Sequence, residues 1–222
     1  MAETYRNRPG RGGRAGFSLW EIALALTLMA LVMGSSMTAM QSGSRIFRRY
    51  SSDSRLVGHG ASAIARIVEE LFAAREASLT PQAAAPLGSD FLEFLASAEW
   101  KNGALEWDAP TRIAFEPGAG EVDVNGVDDD GDGLVDEGRV VLVRNLDRPN
   151  EQRVVVVEGL APLLEGETAN GADDNGNGLV DERGLSFQRA GDTLIVRLTL
   201  QGLGPDDEVI LHTVATSVTL EN

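Results

Sequence analysis

The hydrophobic pattern changes character twice along the chain. Residues 1–16 are polar, glycine-rich and basic, with Arg6, Arg8, Arg11 and Arg14 against Glu3, and can supply no packed core. From Ile22 to Ser44 no residue is charged, and Ile22 to Met33 is almost wholly apolar. About 20 such residues span the hydrocarbon of a bilayer, so this run predicts a membrane helix. Further on, Ile64, Ile67, Val68, Leu71 and Phe72 recur at i, i+3, i+4, i+7 and i+8, while Arg66, Glu69, Glu70 and Arg75 fall between them. That spacing predicts an amphipathic helix with one apolar face. Gly58 and Gly60 weaken its middle and predict a bend. Pro81 and the Ala/Pro stretch to Gly88 end it.

Beyond Gly88 the period shortens to two. Phe91–Leu95, Ala104–Trp107, Arg112–Phe115, Arg139–Asn145, Arg153–Glu158, Leu185–Arg189, Thr193–Leu200 and Val209–Leu220 read as strands. Asp147-Arg148-Pro149-Asn150 and Ala190-Gly191-Asp192 have turn chemistry between neighbouring strands, so hairpins and an antiparallel sheet are expected.

The junction between the basic start and the apolar run carries a motif. Three segments place a basic leader before an apolar stretch: a secretory signal peptide, a plain signal anchor and a prepilin-type leader. The first is cut after its apolar region, where Gly34-Ser35-Ser36 offers small residues. The third is cut before it. Gly16-Phe17-Ser18-Leu19-Trp20-Glu21, followed by the apolar run, resembles the type IV prepilin signature. That resemblance covers about residues 1–45 and implies cleavage by a prepilin peptidase between Gly16 and Phe17. It also implies that Glu21 pairs with the new amino group of a neighbouring subunit's first residue. A carboxylate inside an apolar helix is costly at membrane depth and marks function. Head-to-tail pairing is the kind of contact that builds helical filaments. Two departures stand out: Trp20 occupies a place usually held by a smaller aliphatic residue, and no proline lies near Thr38. Arg45, Arg48, Arg49 and Arg55 balance the leader arginines, so orientation follows from the resemblance rather than from charge asymmetry. The ending FQRAGDTLIVRLTL…TVATSVTLEN looks like that of J-type minor pseudopilins and their W-type pilus counterparts.

Charge adds a second feature. The net charge is −15, yet two segments, Glu121–Gly138 and Glu165–Glu182, hold fourteen of the 34 acids and no base. The remaining 20 acids nearly balance 19 Lys and Arg. Within these segments Asn125–Glu137 recurs as Asn170–Glu182, offset by 45 residues with ten identities in thirteen. Asp128, Asp130, Asp132 and Gly133 stand at positions 1, 3, 5 and 6 of an EF-hand-type loop, Leu134 offers a backbone carbonyl at 7 and Asp136 stands at 9. The second copy has Asp173, Asn175, Asn177, Gly178, Leu179 and Asp181. Calcium takes six to eight oxygen ligands, and the glycine permits the sharp turn. Both loops resemble the calcium loops of dockerins and thrombospondin-type repeats. They lack the bidentate glutamate at position 12, where Arg139 and Gly184 stand. Glu137 and Glu182, at position 10, or Asp123 or Asn125, are the alternatives. Two bound calcium ions are expected, more tightly in the first loop, because it has more carboxylates. A solvated acidic turn is the competing reading.

Other chemistry is thinly represented. Zero cysteines exclude a disulfide framework, a thiolate metal site and a cysteine nucleophile. His59 and His212 are too few for a multi-histidine site and read as structural, and no nucleophile elbow or P-loop occurs, so no enzymatic role is expected. A pI near 4.5 argues against a general nucleic-acid binder.

The expected fold is α+β and pilin-like: a long N-terminal helix, with a membrane half and an amphipathic half, packed on an antiparallel sheet domain. Its parts are a leader at 1–16, a membrane and assembly helix at 17–44, an amphipathic helix at 45–80, and a β-rich domain at 88–222 with acidic loops at 121–138 and 165–184. The resemblance implies a minor pilin or pseudopilin subunit of a type IV pilus or type II secretion pseudopilus. Its partners would be other pilin or pseudopilin subunits and the prepilin peptidase. It would cross the inner membrane once, with a periplasmic or extracellular C-terminal domain. A calcium-dependent adhesive module displayed on such a fibre is the alternative, and a membrane-anchored enzyme a third.

Overall fold

The computed structural model describes residues 16–96, 99–101, 103–106, 109–122 and 125–220. The leader up to Ala15, Trp107 and Asp123 lie outside the described residues. Two compact units divide between Ile46 and Phe47.

In the first unit the chain enters helix α1, Leu19–Phe72, three residues after Gly16. Ser18 and Glu21 start it reciprocally. The Ser18 backbone N–H donates to Glu21 Oε2 at 2.8 Å, and the Glu21 N–H donates to Ser18 Oγ at 3.2 Å. This is a capping box, which satisfies two N–H groups that the first helical turn leaves without partners. Among the described residues α1 is the one helix long and apolar enough to cross a membrane. Its apolar residues from Leu19 to Met40 are exposed. A contiguous apolar surface of this kind needs a membrane or partner to cover it.

In the second unit α1 buries Gly60, Ala63, Ile64, Ile67 and Leu71 against a sheet. Among the described residues nine strands follow: β1 (Phe91–Leu95), β2 (Glu99–Lys101), β3 (Ala104–Glu106), β4 (Pro110–Pro117), β5 (Gly138–Arg144), β6 (Gln152–Leu160), β7 (Leu185–Ala190), β8 (Thr193–Leu203) and β9 (Val209–Thr219). The main sheet runs β1-β4-β5-β6-β8-β7, with β9 also paired to β8, and β2–β3 is a separate hairpin. Every strand pairing is antiparallel. The fold is α+β, a long N-terminal helix with an antiparallel sheet, as the pattern predicts. Alternation is clearest in β8, where Leu194, Val196, Leu198 and Leu200 all point into the core. Ala190 pairs with Thr193, leaving Gly191-Asp192 as a two-residue turn with Gly191 at φ +69°. Glycine suits that left-handed position because it has no Cβ.

Two details differ from expectation. The helix ends at Phe72 rather than running to residue 80, because the backbone turns to join the sheet. The Arg75 N–H donates to Leu95 O at 3.1 Å, and Thr80 and Glu93 exchange bonds at 2.9 and 2.7 Å. Phe72 is 74% exposed, so of the predicted stripe Ile64, Ile67 and Leu71 are buried and Val68 packs partly on the core, while Phe72 faces outward. The helical hydrogen bonding of α1 continues through Gly58 and Gly60, so neither glycine ends it.

Those two glycines differ in what surrounds them. A Cβ on Gly60 would lie 2.8 Å from Val214 Cγ2, whereas one on Gly58 meets nothing within 4 Å. Gly60 is therefore a place of close approach to β9. Alanine is favoured over glycine inside a helix by about 1 kcal/mol. Gly58→Ala is expected to raise the melting temperature, while Gly60→Ala forfeits that gain by displacing Val214. Equal gains from both substitutions would refute the close-approach role.

Helix and sheet are also joined by charge. Glu70, largely buried, accepts bonds from the Arg144 guanidinium at the end of β5. Arg189 of β7 bonds Glu76, and donates to Gln82 Oε1 at 2.6 Å, which fixes the segment after the helix.

Candidate functional site

The first acidic loop joins β4 to β5, and the second joins β6 to β7. Each is closed at its neck by the backbone. In the first, the Gly118 N–H donates to Glu137 O at 2.8 Å and the Glu121 N–H to Gly118 O at 3.3 Å. In the second, the Leu164 N–H donates to Glu182 O at 2.9 Å and the Glu167 N–H to Leu164 O at 3.0 Å.

Inside the first loop, alternate side chains curl the backbone. Asp128 accepts the N–H groups of Gly131 and Gly133 at 2.7 and 3.0 Å. Asp130 accepts that of Asp132 at 3.0 Å, and Asp132 that of Leu134 at 2.8 Å. Such aspartate turns are the short-range chemistry that makes Asp and Gly loop formers. The second loop repeats them. Asp173 accepts from Gly176, Asn177 and Gly178 at 2.7, 3.1 and 2.9 Å. Asn175 accepts from Asn177 at 3.0 Å, and Asn177 from Leu179 at 2.9 Å. The sequence repeat is thus a repeat of hydrogen bonds.

Asp136 and Asp181, expected as ligands at position 9, bond the loop entrances. Both have positive φ, +53° and +48°. Asp136 turns back to accept the N–H groups of Asn125 and Gly126 at 2.7 and 2.8 Å. Asp181 does the same for Asn170 and Gly171 at 3.0 and 2.8 Å. They stitch the loop entrances. Asn125, weighed as a ligand, accepts from the Val127 N–H at 2.7 Å and donates to Asp129 at 2.8 Å, so it too holds the entrance. The side chains of Leu134 and Leu179 are buried, tying each loop to the body of the domain.

The acids that do converge include one that the loop motif omits. Glu121, Asp128 and Asp130 form one group whose oxygens lie within 4.8 Å of one another, and Asp130, Asp132 and Glu137 form a second. Among the described residues, both groups of three acids fall in the first loop and share Asp130. Either group could hold a metal ion. Glu121 and Glu137 are buried, at 9% and 7% exposure, and Oε2 of each has no hydrogen-bond partner among the described residues. Burial raises the Glu137 carboxyl above the ordinary carboxylate range. Its own backbone N–H opposes this, and the charges of Asp132, Glu121 and Asp130 add to it. The protein has concentrated negative charge here with no positive side chain in either group.

The second loop is arranged otherwise. Glu167 is the counterpart of Glu121, each lying three residues after the neck residue that bonds Glu182 or Glu137. Both Glu167 oxygens are taken, by the Asn175 N–H at 3.0 Å and the Asp181 N–H at 3.3 Å. The Asn177 amide donates to Glu182 Oε1, while Glu182 Oε2 is buried without a partner. An amide thus supplies the positive end that the first loop lacks.

At the expected cleavage position, Gly16 and Phe17 are exposed ahead of the helix. Glu21 lies in the first helical turn within the capping box. The S-x-x-E pattern at Ser18–Glu21 is itself a readable signal for that box. No protein-family model, curated protein or solved structure matches the chain.

Proposed function

We propose that this chain is a structural subunit of a pilin-like fibre, a minor pilin or pseudopilin of a type IV pilus or type II secretion pseudopilus. A prepilin peptidase cuts it between Gly16 and Phe17. The apolar part of α1 holds it in the inner membrane before assembly, with the sheet domain on the periplasmic or extracellular side. Its partners are other pilin or pseudopilin subunits, and the exposed apolar helix and Glu21 make the assembly contacts. Calcium binds in the two acidic loops and steadies the connections between strands. The role is mechanical rather than enzymatic.

The observation that carries this reading is the order of parts. Gly16-Phe17, the capping box with Glu21, an apolar helix with its surface uncovered, and an amphipathic continuation packed on an antiparallel sheet follow one another without interruption. An ordinary anchor explains the apolar run but not the glutamate five residues after the glycine.

Intact-mass measurement after co-expression with a prepilin peptidase tests it. The mature chain is expected to begin at Phe17. A bulky residue at Gly16 is expected to abolish the cut, since the protease must approach the backbone there. Cleavage near Ser36 instead would identify an ordinary signal peptide and overturn the fibre reading.

A further inference from the structure

Glu121 lies outside the repeated thirteen residues, yet the neck of the first loop brings it against them. Two glycines make this approach possible. A Cβ on Gly118 would lie 2.8 Å from Glu137 O, and one on Gly120, at φ +105°, would lie 2.8 Å from Asp130 Cβ. The turn at 118–121 is therefore seated directly on the loop. Glu121 Oε1 is anchored by the Asp129 N–H at 3.2 Å and Oε2 is buried and unpartnered, and the carboxylate groups with Asp128 and Asp130. Glu137 has a second buried, unpartnered oxygen, and its carboxylate groups with Asp130 and Asp132. Two unpartnered carboxylate oxygens buried in a cluster of acids are strongly unfavourable unless a cation joins them.

We propose that the first acidic loop binds one hard divalent cation, with calcium preferred, between Asp128, Asp130, Asp132, Glu137 and Glu121, and that Glu121 replaces the glutamate missing from position 12. This rests on the calcium part of the reading above and deepens it by assigning the ligands. Each group brings three carboxylate oxygens within 4.8 Å of one another, close enough for one ion to bridge them, and Asp130 belongs to both groups. Five carboxylates supply at least five of the six to eight oxygens calcium takes, leaving one or more places for water or a second oxygen of one carboxylate. Magnesium demands a compact octahedron and retains its waters, so this crowded set of acids disfavours it. The second loop is the internal control. Asn175 and Asn177 stand where the first loop has Asp130 and Asp132, and the Asn177 amide donates to Glu182, so fewer negative charges converge there and that loop binds calcium more weakly.

Isothermal titration of the full chain in detergent micelles, with calcium and separately with magnesium, tests this. Glu121→Gln preserves the acceptor for the Asp129 N–H and removes only the charge. It is expected to weaken the tighter calcium site at least tenfold, whereas Glu167→Gln leaves that site within twofold. Wild-type affinity in Glu121→Gln overturns the assignment, and so does an equal loss in Glu167→Gln. Should Glu121→Gln fail to fold, Glu121→Asp keeps the charge and withdraws the carboxylate by one methylene. The same tenfold loss is expected, and wild-type affinity there overturns the proposal. The possible failures are distinguishable. Calcium binding that ignores Glu121 sinks this ligand set alone. No calcium binding by the wild-type chain sinks the calcium reading with it. Cutting after Gly16 reports on the fibre reading independently of both.

Discussion

Replacing Glu21 by alanine is expected to leave processing and membrane insertion intact and to reduce incorporation into fibres by about 10²–10⁴-fold. In the proposed assembly the carboxylate meets the ammonium created at Phe17 of a neighbouring subunit. Removing one member of a buried charge pair strands the other and costs about 3–5 kcal/mol, and each 1.36 kcal/mol is a factor of ten. The capping box supplies a competing explanation, because the same substitution removes the acceptor of the Ser18 N–H. Two further variants separate them. Ser18→Ala removes the hydroxyl that accepts the Glu21 N–H and is expected to cost about 1 kcal/mol of local helix stability, with near-normal incorporation. Glu21→Gln keeps a carbonyl oxygen for Ser18 and loses the charge, so it is expected to start the helix normally and to assemble as poorly as alanine. Fibres sheared from cells and probed for the subunit provide the measurement. Normal incorporation of Glu21→Gln together with a defect in Ser18→Ala would assign the carboxylate to helix capping and remove it from assembly. A carboxylate has room for both partners, since its two oxygens offer about four acceptor sites.

The large elements were legible because each had a periodic signal longer than its interruptions. The apolar run after Ile22 and the stripe through Ile64, Ile67 and Leu71 are both helical, and the alternation in β8 needed no tertiary information. The end of the helix was not legible. Residues 73–80 contain no breaker before Pro81, and what stops the helix is pairing of Arg75 and Thr80 with β1, a contact between distant segments. Phe72 shows the same dependence. It fits the apolar stripe by spacing, but a helical face is defined by what covers it, and the sheet covers Leu71 and Ala74.

The acidic loops divide in a similar way. Alternate Asp and Gly residues announced a turn-rich loop, and the structure forms those turns twice over. At position 9 of the EF-hand-type frame, Asp136 and Asp181 have left-handed backbone and accept backbone N–H groups at the loop entrance, a bond that the spacing alone does not announce. Glu121 and Glu167 escaped for a simpler reason. Their separation is 46 residues, while the repeat itself has a period of 45, so an alignment in register sets Glu121 against Gly166. The signal that finds them is their shared place three residues after the neck, and that place exists only once the strands have brought Gly118 to Glu137 and Leu164 to Glu182.

Leu179→Ala is expected to cost about 2–5 kcal/mol, the range for truncating a buried leucine, and to lower the melting temperature by roughly 5–15 °C for a domain of this size. Leu179 occupies the loop position whose backbone carbonyl was assigned to calcium, yet its side chain is fully buried. It lies close against the backbone before β1: a Cβ on Gly88 would meet Leu179 Cδ1 at 3.1 Å. The second loop is thereby joined to the segment that leads from the helix into the sheet. A total stability of about 5–15 kcal/mol makes the loss a large share of what holds the domain together. Calcium is not expected to compensate, because a site at tenfold excess over its dissociation constant contributes only about 1.4 kcal/mol. Leu134, the equivalent residue of the first loop, retains 8% exposure, and its truncation is expected to fall toward the lower end of the same range. Thermal melts of both variants, each with calcium and with chelator, provide the comparison. An unchanged melting temperature for Leu179→Ala would mean that the second loop hangs from the sheet as acidic decoration, whatever ion it binds. A loss of the expected size, insensitive to calcium, would make the loop part of the folded core, held by its leucine before any metal reaches it.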